Sequence, residues 1–128
     1  MTGSRIVIIG GNAAGMSCAA RLRRLDETCS ITVIERTSLV SFANCGIPYF
    51  IGDVIKDHTS LVVKTPGELS EILNCDLMLL SEATRVDREK KVVEVKDQKT
   101  GGTQVIGYDF LVLCPGAKPF TPSIKGIN

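Results

Sequence analysis

Apolar residues fall into two rhythms along this chain. "RIVIIG" (5–10) and "SITVIER" (30–36) are short, β-branched apolar runs, the composition of parallel strands buried on both faces. Between them, "GGNAAGMSCAARLRRLDE" sets Ala14, Cys18 and Leu22, with Ala19 and Leu25, at helical spacing and places arginines opposite. Strand, glycine turn, helix and strand in this order predict a βαβ unit, with the right-handed crossover such units adopt. "KTPGELSEIL" predicts a short helix, with Thr65 as N-cap, Pro66 in the first turn and Glu68 completing a T-x-x-E capping box. "CDLMLLSE" reads as a strand. From "TRVD" to "IGYD" apolar and charged residues alternate around a "KTGG" turn, which predicts an antiparallel meander wet on one face. "YDFLVLCPGAKP" predicts another buried strand, stopped by Pro-Gly. No repeat or low-complexity linker interrupts the pattern, and "FTPSIKGIN" reads as loop, like a cut between domains. The pattern as a whole predicts an α/β domain.

Composition narrows this. At 128 residues the chain suits one domain with a real core. A net charge of +1 offers no bulk field for nucleic acid or an anionic membrane. The apolar run at the start is too short and glycine-broken for a secretory signal or a spanning helix. Five cysteines, at 18, 29, 45, 75 and 114, show no C-x-x-C pair and no ligand spacing with His58, the only histidine. Neither a disulfide framework nor a metal site is expected, and a cytoplasmic chain with reduced thiols is. His58 reads as a surface histidine without a role.

The chemistry begins at "GGNAAG". Gly10 lets the first strand turn sharply, and Gly15 lets helix and strand pack closely. The helix N-terminus then offers free N–H groups and a positive dipole end to a pyrophosphate. Asn12 stands where the G-x-G-x-x-G pattern has its second glycine; asparagine tolerates positive φ, so the turn is expected to survive. Glu35, twenty residues after Gly15, ends the second strand, where an acid accepts hydrogen bonds from an adenosine ribose. This combination predicts dinucleotide binding without choosing between FAD and NAD.

Cys45, in "SFANCGIPYF", has no resolving thiol nearby. It is either a quiet core thiol or a redox sulfur whose partner is a substrate thiol or a peroxide oxygen. A helix opening at "GIPYFIGD" would favour its thiolate, and Pro48 fits only the first turn of such a helix.

"IVIIGGNAAGMSCAARLRRLDE", "ITVIER", "SFANCGIPYFIGD" and "YDFLVLCPGAKP" together resemble the coenzyme A-disulfide reductase group of the FAD-dependent pyridine nucleotide-disulfide oxidoreductases. S-F-x-x-C-G is the specific part. The resemblance implies a Rossmann-like FAD-binding domain, three-layered, with a parallel sheet and an antiparallel β-meander, here incomplete. It implies that Cys45 forms a mixed disulfide with coenzyme A. It implies FAD held by Gly10, Gly11, Asn12, Ala14, Gly15, Glu35, Arg36, Asn44, Val86, Pro115 and Gly116, with Cys114 where an alanine is usual. Ser17, Arg21, Arg24, Ser41 and Asn44 would line the coenzyme A site. Arg21 and Arg24 also share a helix face on which phosphates can be paired.

The implied donor is NAD(P)H, and the implied substrate is coenzyme A disulfide or a CoA persulfide or polysulfide. Family members are several times longer, with NAD(P)H-binding and dimerisation domains and a homodimeric full-length form. This chain is therefore expected to have the N-terminal fold of the flavin domain, without turnover and with poor FAD binding. Two alternatives stay open: an NADH oxidase or peroxidase using a sulfenic acid at Cys45, and a non-catalytic nucleotide-binding module with an inert Cys45.

Overall fold

A computed structural model describes residues 3–127. Four strands form a parallel sheet: β1 (Arg5–Ile9), β2 (Ser30–Ile34), β3 (Asp76–Met78) and β7 (Phe110–Leu113), in the order β3-β2-β1-β7. Three others, β4 (Ser81–Asp87), β5 (Val92–Asp97) and β6 (Thr103–Gly107), form an antiparallel meander. The helices are α1 (Ala13–Leu25), α2 (Ile47–Ile51) and α3 (Pro66–Leu73).

The alternation of side chains along a strand explains the three layers. Ile6, Ile8, Ile31 and Val33 point to one face and pack with Met16 and Ala19 of α1 and Leu73 of α3. Val7 and Ile34 point to the other and meet Val93, Val95 and Tyr108 of the meander. The sheet is thus sandwiched between helices and meander, the three layers that the resemblance implies.

Three expectations are corrected. The helical stripe is rotated by about one position: Gly15, Met16 and Ala19 are buried, whereas Ala14 is exposed and Leu25 is 66% exposed. The apolar run "CDLMLLSE" is two strands. Leu80, at φ 49°, turns the chain out of the parallel sheet, and its N–H donates to Thr37 O while its carbonyl accepts from Gln98 N. Hydrophobicity continues through the turn because both flanks are packed, so no polar residue marks it. The strand β7 is an edge strand, with Phe110 61% and Leu113 64% exposed.

The capping box of α3 is complete. Thr65 Oγ1 accepts from Glu68 N at 3.3 Å, and Glu68 Oε2 accepts from Thr65 N at 2.8 Å. Hydrogen bonds from Thr65, aided by Lys64, hold the Glu68 carboxyl below its ordinary range. Thr65→Ala is expected to cost about 1 kcal/mol of stability in urea unfolding; an unchanged midpoint would show that α3 is fixed by packing alone.

Candidate functional site

The strand β1 ends in a turn that only glycines can make. Gly10 sits at φ +101°, and a Cβ there would lie 2.0 Å from Cys114 O. A Cβ on Gly15 would lie 1.8 Å from Gly10 O. The third glycine is Gly11, where a Cβ would strike Val40 Cγ1 at 2.7 Å. Asn12 takes no positive φ: it is the N-cap of α1 at φ −97°, ψ −151°, so the left-handed step expected of it falls on Gly10 instead.

The Asn12 side chain makes no capping bond, and its Oδ1 is buried without a hydrogen-bond partner. The first intrahelical bond runs from Met16 N to Asn12 O, and no acidic residue sits in the first turn. The opening N–H groups of α1 therefore have no helical acceptor. A buried amide without a partner beside such a helix end is what an anionic ligand would complete. Turning the amide about its last torsion would present its NH2 to the same place.

Glu35 faces this turn. Its Oε2 accepts from Gly11 N at 2.8 Å; its Oε1 accepts from Thr37 N at 2.8 Å and Thr37 Oγ1 at 2.9 Å. A carboxylate offers about four acceptor positions, so a ribose hydroxyl still has one. Thr37, which fixes the rotamer, went unremarked in the sequence, although E-x-T is a local signal for such a clasp.

Two adjoining cavities share Gly10, Glu35 and Pro115. The first, about 430 Å³, also touches Asn12, Asn44, His58 and Gly116. The second, about 190 Å³, runs along Arg36 to Ser81 and Ala83 at the meander. Gly10, Asn12, Glu35, Arg36, Asn44, Pro115 and Gly116 are thus brought together on the walls of these two cavities. Val86 is not: it packs into the meander core, and Ala83 takes the place by the cavity. Ala14 is exposed on α1 outside both cavities. Gly11 and Gly15 shape the walls without lining them. Phe42, Leu39, Cys114 and Ala117 also line the first cavity: Phe42 belongs to the S-F-x-x-C-G segment and Cys114 precedes the Pro115-Gly116 turn, whereas no local motif marks Leu39 or Ala117.

Cys45 is exposed, in a 3₁₀ turn (Asn44–Gly46) that leads directly into α2. Gly46 follows because a Cβ there would collide with Leu61 Cδ2 at 2.4 Å. The expected helix after Cys45 exists with Pro48 in its first turn, but five residues are too few to carry a dipole argument for the thiolate. Asn44, its chain neighbour, lines the cavity; Cys45 itself stands just outside it. Ser41 is at φ 54° and its N–H donates to Gly11 O, tying this segment to the glycine turn. Ser17, Arg21 and Arg24 project from exposed positions on α1. No group of side chains able to hold a metal occurs among the described residues.

The family model for pyridine nucleotide-disulphide oxidoreductases matches residues 4–128. The chain belongs to this family. Members of the pyridine nucleotide-disulphide oxidoreductase family use FAD and a nicotinamide nucleotide. The coenzyme A disulfide reductase of Staphylococcus epidermidis is 36% identical over 114 residues, which is 89% of this chain and 26% of that relative. The solved structure of reduced Bacillus anthracis CoADR-RHD superposes with a TM-score of 0.93 at 46% identity, over 99% of this chain and 23% of that one. A NAD-dependent persulfide reductase from A. fulgidus superposes at 0.89 with 36% identity, over 96% and 23%. The chain therefore spans about a quarter of the length of the curated relatives it matches. Within the family fold, the glycine turn, Glu35 and the unpartnered Asn12 amide fit the FAD site. No helix among the described residues is long and apolar enough to cross a membrane.

Proposed function

We propose that this chain is the N-terminal part of the FAD-binding domain of a cytoplasmic, NAD(P)H-dependent disulfide reductase that acts on coenzyme A disulfide or a CoA persulfide. The observation carrying this reading is an exposed thiol on a rigid turn, one residue from a wall of the dinucleotide cavity. In this reading the NAD(P)H-binding and dimerisation domains, and the homodimer, belong to the full-length protein.

Gly10, Asn12, Glu35 and Arg36 hold the dinucleotide between the first turn of α1 and the meander. The Cys45 thiolate attacks one sulfur of the substrate disulfide, forming a mixed disulfide with coenzyme A and releasing the other half as a thiolate. FAD, when bound, supplies the electron pair drawn from NAD(P)H that reopens that bond. Arg21 and Arg24 offer charge to the substrate's phosphates, and Ser17, Ser41 and Asn44 offer hydrogen bonds. Two of the other thiols are held back: desolvation pushes up Cys75, and desolvation with nearby Cys114 pushes up Cys18.

Treating the chain with coenzyme A disulfide and mapping adducts by mass spectrometry tests the reading. A coenzyme A adduct at Cys45 is expected, with labelling there at least about tenfold faster than at Cys75 at neutral pH. Adducts spread evenly over the five cysteines would sink the assignment. A stable mono-oxygen adduct under peroxide, without any coenzyme A adduct, would move Cys45 to the oxidase or peroxidase branch.

A further inference from the structure

We propose that His58 is the cationic contact for the diphosphate of the bound dinucleotide, which makes cofactor affinity depend on pH. This rests on the cofactor reading above. The 430 Å³ cavity carries one fixed negative charge, Glu35, and His58 is the only one of its lining side chains able to become positive. Arg36 lies on the adjoining cavity, toward the meander. A diphosphate seated at the first turn of α1 would otherwise meet no countercharge on these walls.

The ring is held for this task. His58 opens a 3₁₀ turn (His58–Leu61), which Asp57 caps by accepting from Thr59 N at 2.9 Å and Thr59 Oγ1 at 2.6 Å. The far end of that turn is clasped to the segment before Cys45. Ala43 N donates to Leu61 O at 2.7 Å, Val63 N donates to Ser41 O at 3.2 Å, and Phe42 bridges to Val62. The imidazole lies between Phe42, at 6.5 Å, and Phe50 of α2, edge-on at 6.1 Å. The titratable groups placed with it are Glu35 and Cys114 on the cavity wall and its chain neighbours Lys56 and Asp57. Glu35 is engaged with Gly11 and Thr37, Asp57 with Thr59, and Lys56 is paired to Asp53. The imidazole lies beside the Asp57 carboxylate, whose charge it helps to stabilise, and lines the cavity that an incoming anion would enter.

The sign follows from linkage. An anion favours the imidazolium, so binding raises the ring's pKa. The added affinity is present at low pH and is lost as pH rises through that value. Histidine is the side chain whose ordinary charge change falls between about pH 5 and pH 8. One charge pair near a surface gives a factor of roughly five in affinity.

The test is an NMR titration of the isotope-labelled chain with FAD up to millimolar concentration, at about pH 5.5 and about pH 8. The amides of Gly10 to Gly15 report binding, and the His58 ring proton reports titration. The expected result is roughly fivefold weaker binding at the higher pH, an upward shift of the ring titration on adding FAD, and both effects lost in His58→Gln. His58→Lys should bind tightly at both values. If the glycine-turn amides shift with the same pH dependence in wild type and His58→Gln, the inference fails and the cofactor reading stands. If no amide there moves even at millimolar FAD, the cofactor reading falls and takes this inference with it.

Discussion

Gly15→Ala is expected to produce a chain that no longer holds its native structure, losing more than about 4 kcal/mol. The methyl group would be driven to 1.8 Å from Gly10 O and 3.2 Å from Ile8 Cγ2. Neither neighbour can yield. Gly10 is fixed by its hydrogen bond to Ile34 O at 2.8 Å and by the crossing of Cys114 O, and Ile8 is fully buried between β2 and β7. The helix would have to lift from the sheet, opening the layer that Met16 and Ala19 fill. Circular dichroism through a urea titration is the measurement. A midpoint within about 1 kcal/mol of wild type would mean that helix and strand do not approach as closely as described.

Arg23→Ala is the second large effect, expected at about 3 kcal/mol in the same assay. Its guanidinium donates to four main-chain carbonyls: Leu73 at 2.8 Å, Asn74 at 2.9 Å, Glu27 at 2.8 Å and Asp26 at 3.2 Å. It therefore joins the end of α1, the approach to β2 and the end of α3 at one point. Lysine lacks the planar fork and would restore only part of the loss. Arg21→Ala and Arg24→Ala, at exposed positions two before and one after, are expected to stay within about 0.5 kcal/mol. Equal losses for all three would show that α1 needs bulk positive charge and not this clasp.

The contrast among these arginines marks what a linear pattern can carry. Helical spacing puts Arg21, Arg23 and Arg24 on the polar side of α1 without distinguishing them. Arg23 is singled out by Leu73 and Asn74, fifty residues away, which no local rhythm encodes. The glycine turn was legible because its demands are local: a sharp turn at Gly10, a missing Cβ at Gly15, an acid at the end of the next strand; only the positive φ, expected at Asn12, lies at Gly10. The capping box at Thr65 was legible for the same reason. Val86 was placed at the cofactor by resemblance, whereas Ala83, before the register irregularity in β4, lines the cavity. His58, read from the sequence as a surface histidine without a role, is indeed exposed, and the role proposed for it rests on the clasp between residues 41–43 and 61–63, which forms only in three dimensions.

The exposed margin at β7 has a practical consequence. Among the described residues β7 has no neighbour on one side, and such an edge shows a row of main-chain donors and acceptors, here with Phe110 and Leu113 exposed on the two faces beside it. In concentrated samples two molecules have a ready way to zip together there, and spectra would broaden with dose rather than with time. Charging that rim, for instance with Phe110→Lys, should keep the sample monodisperse while leaving the cofactor walls untouched.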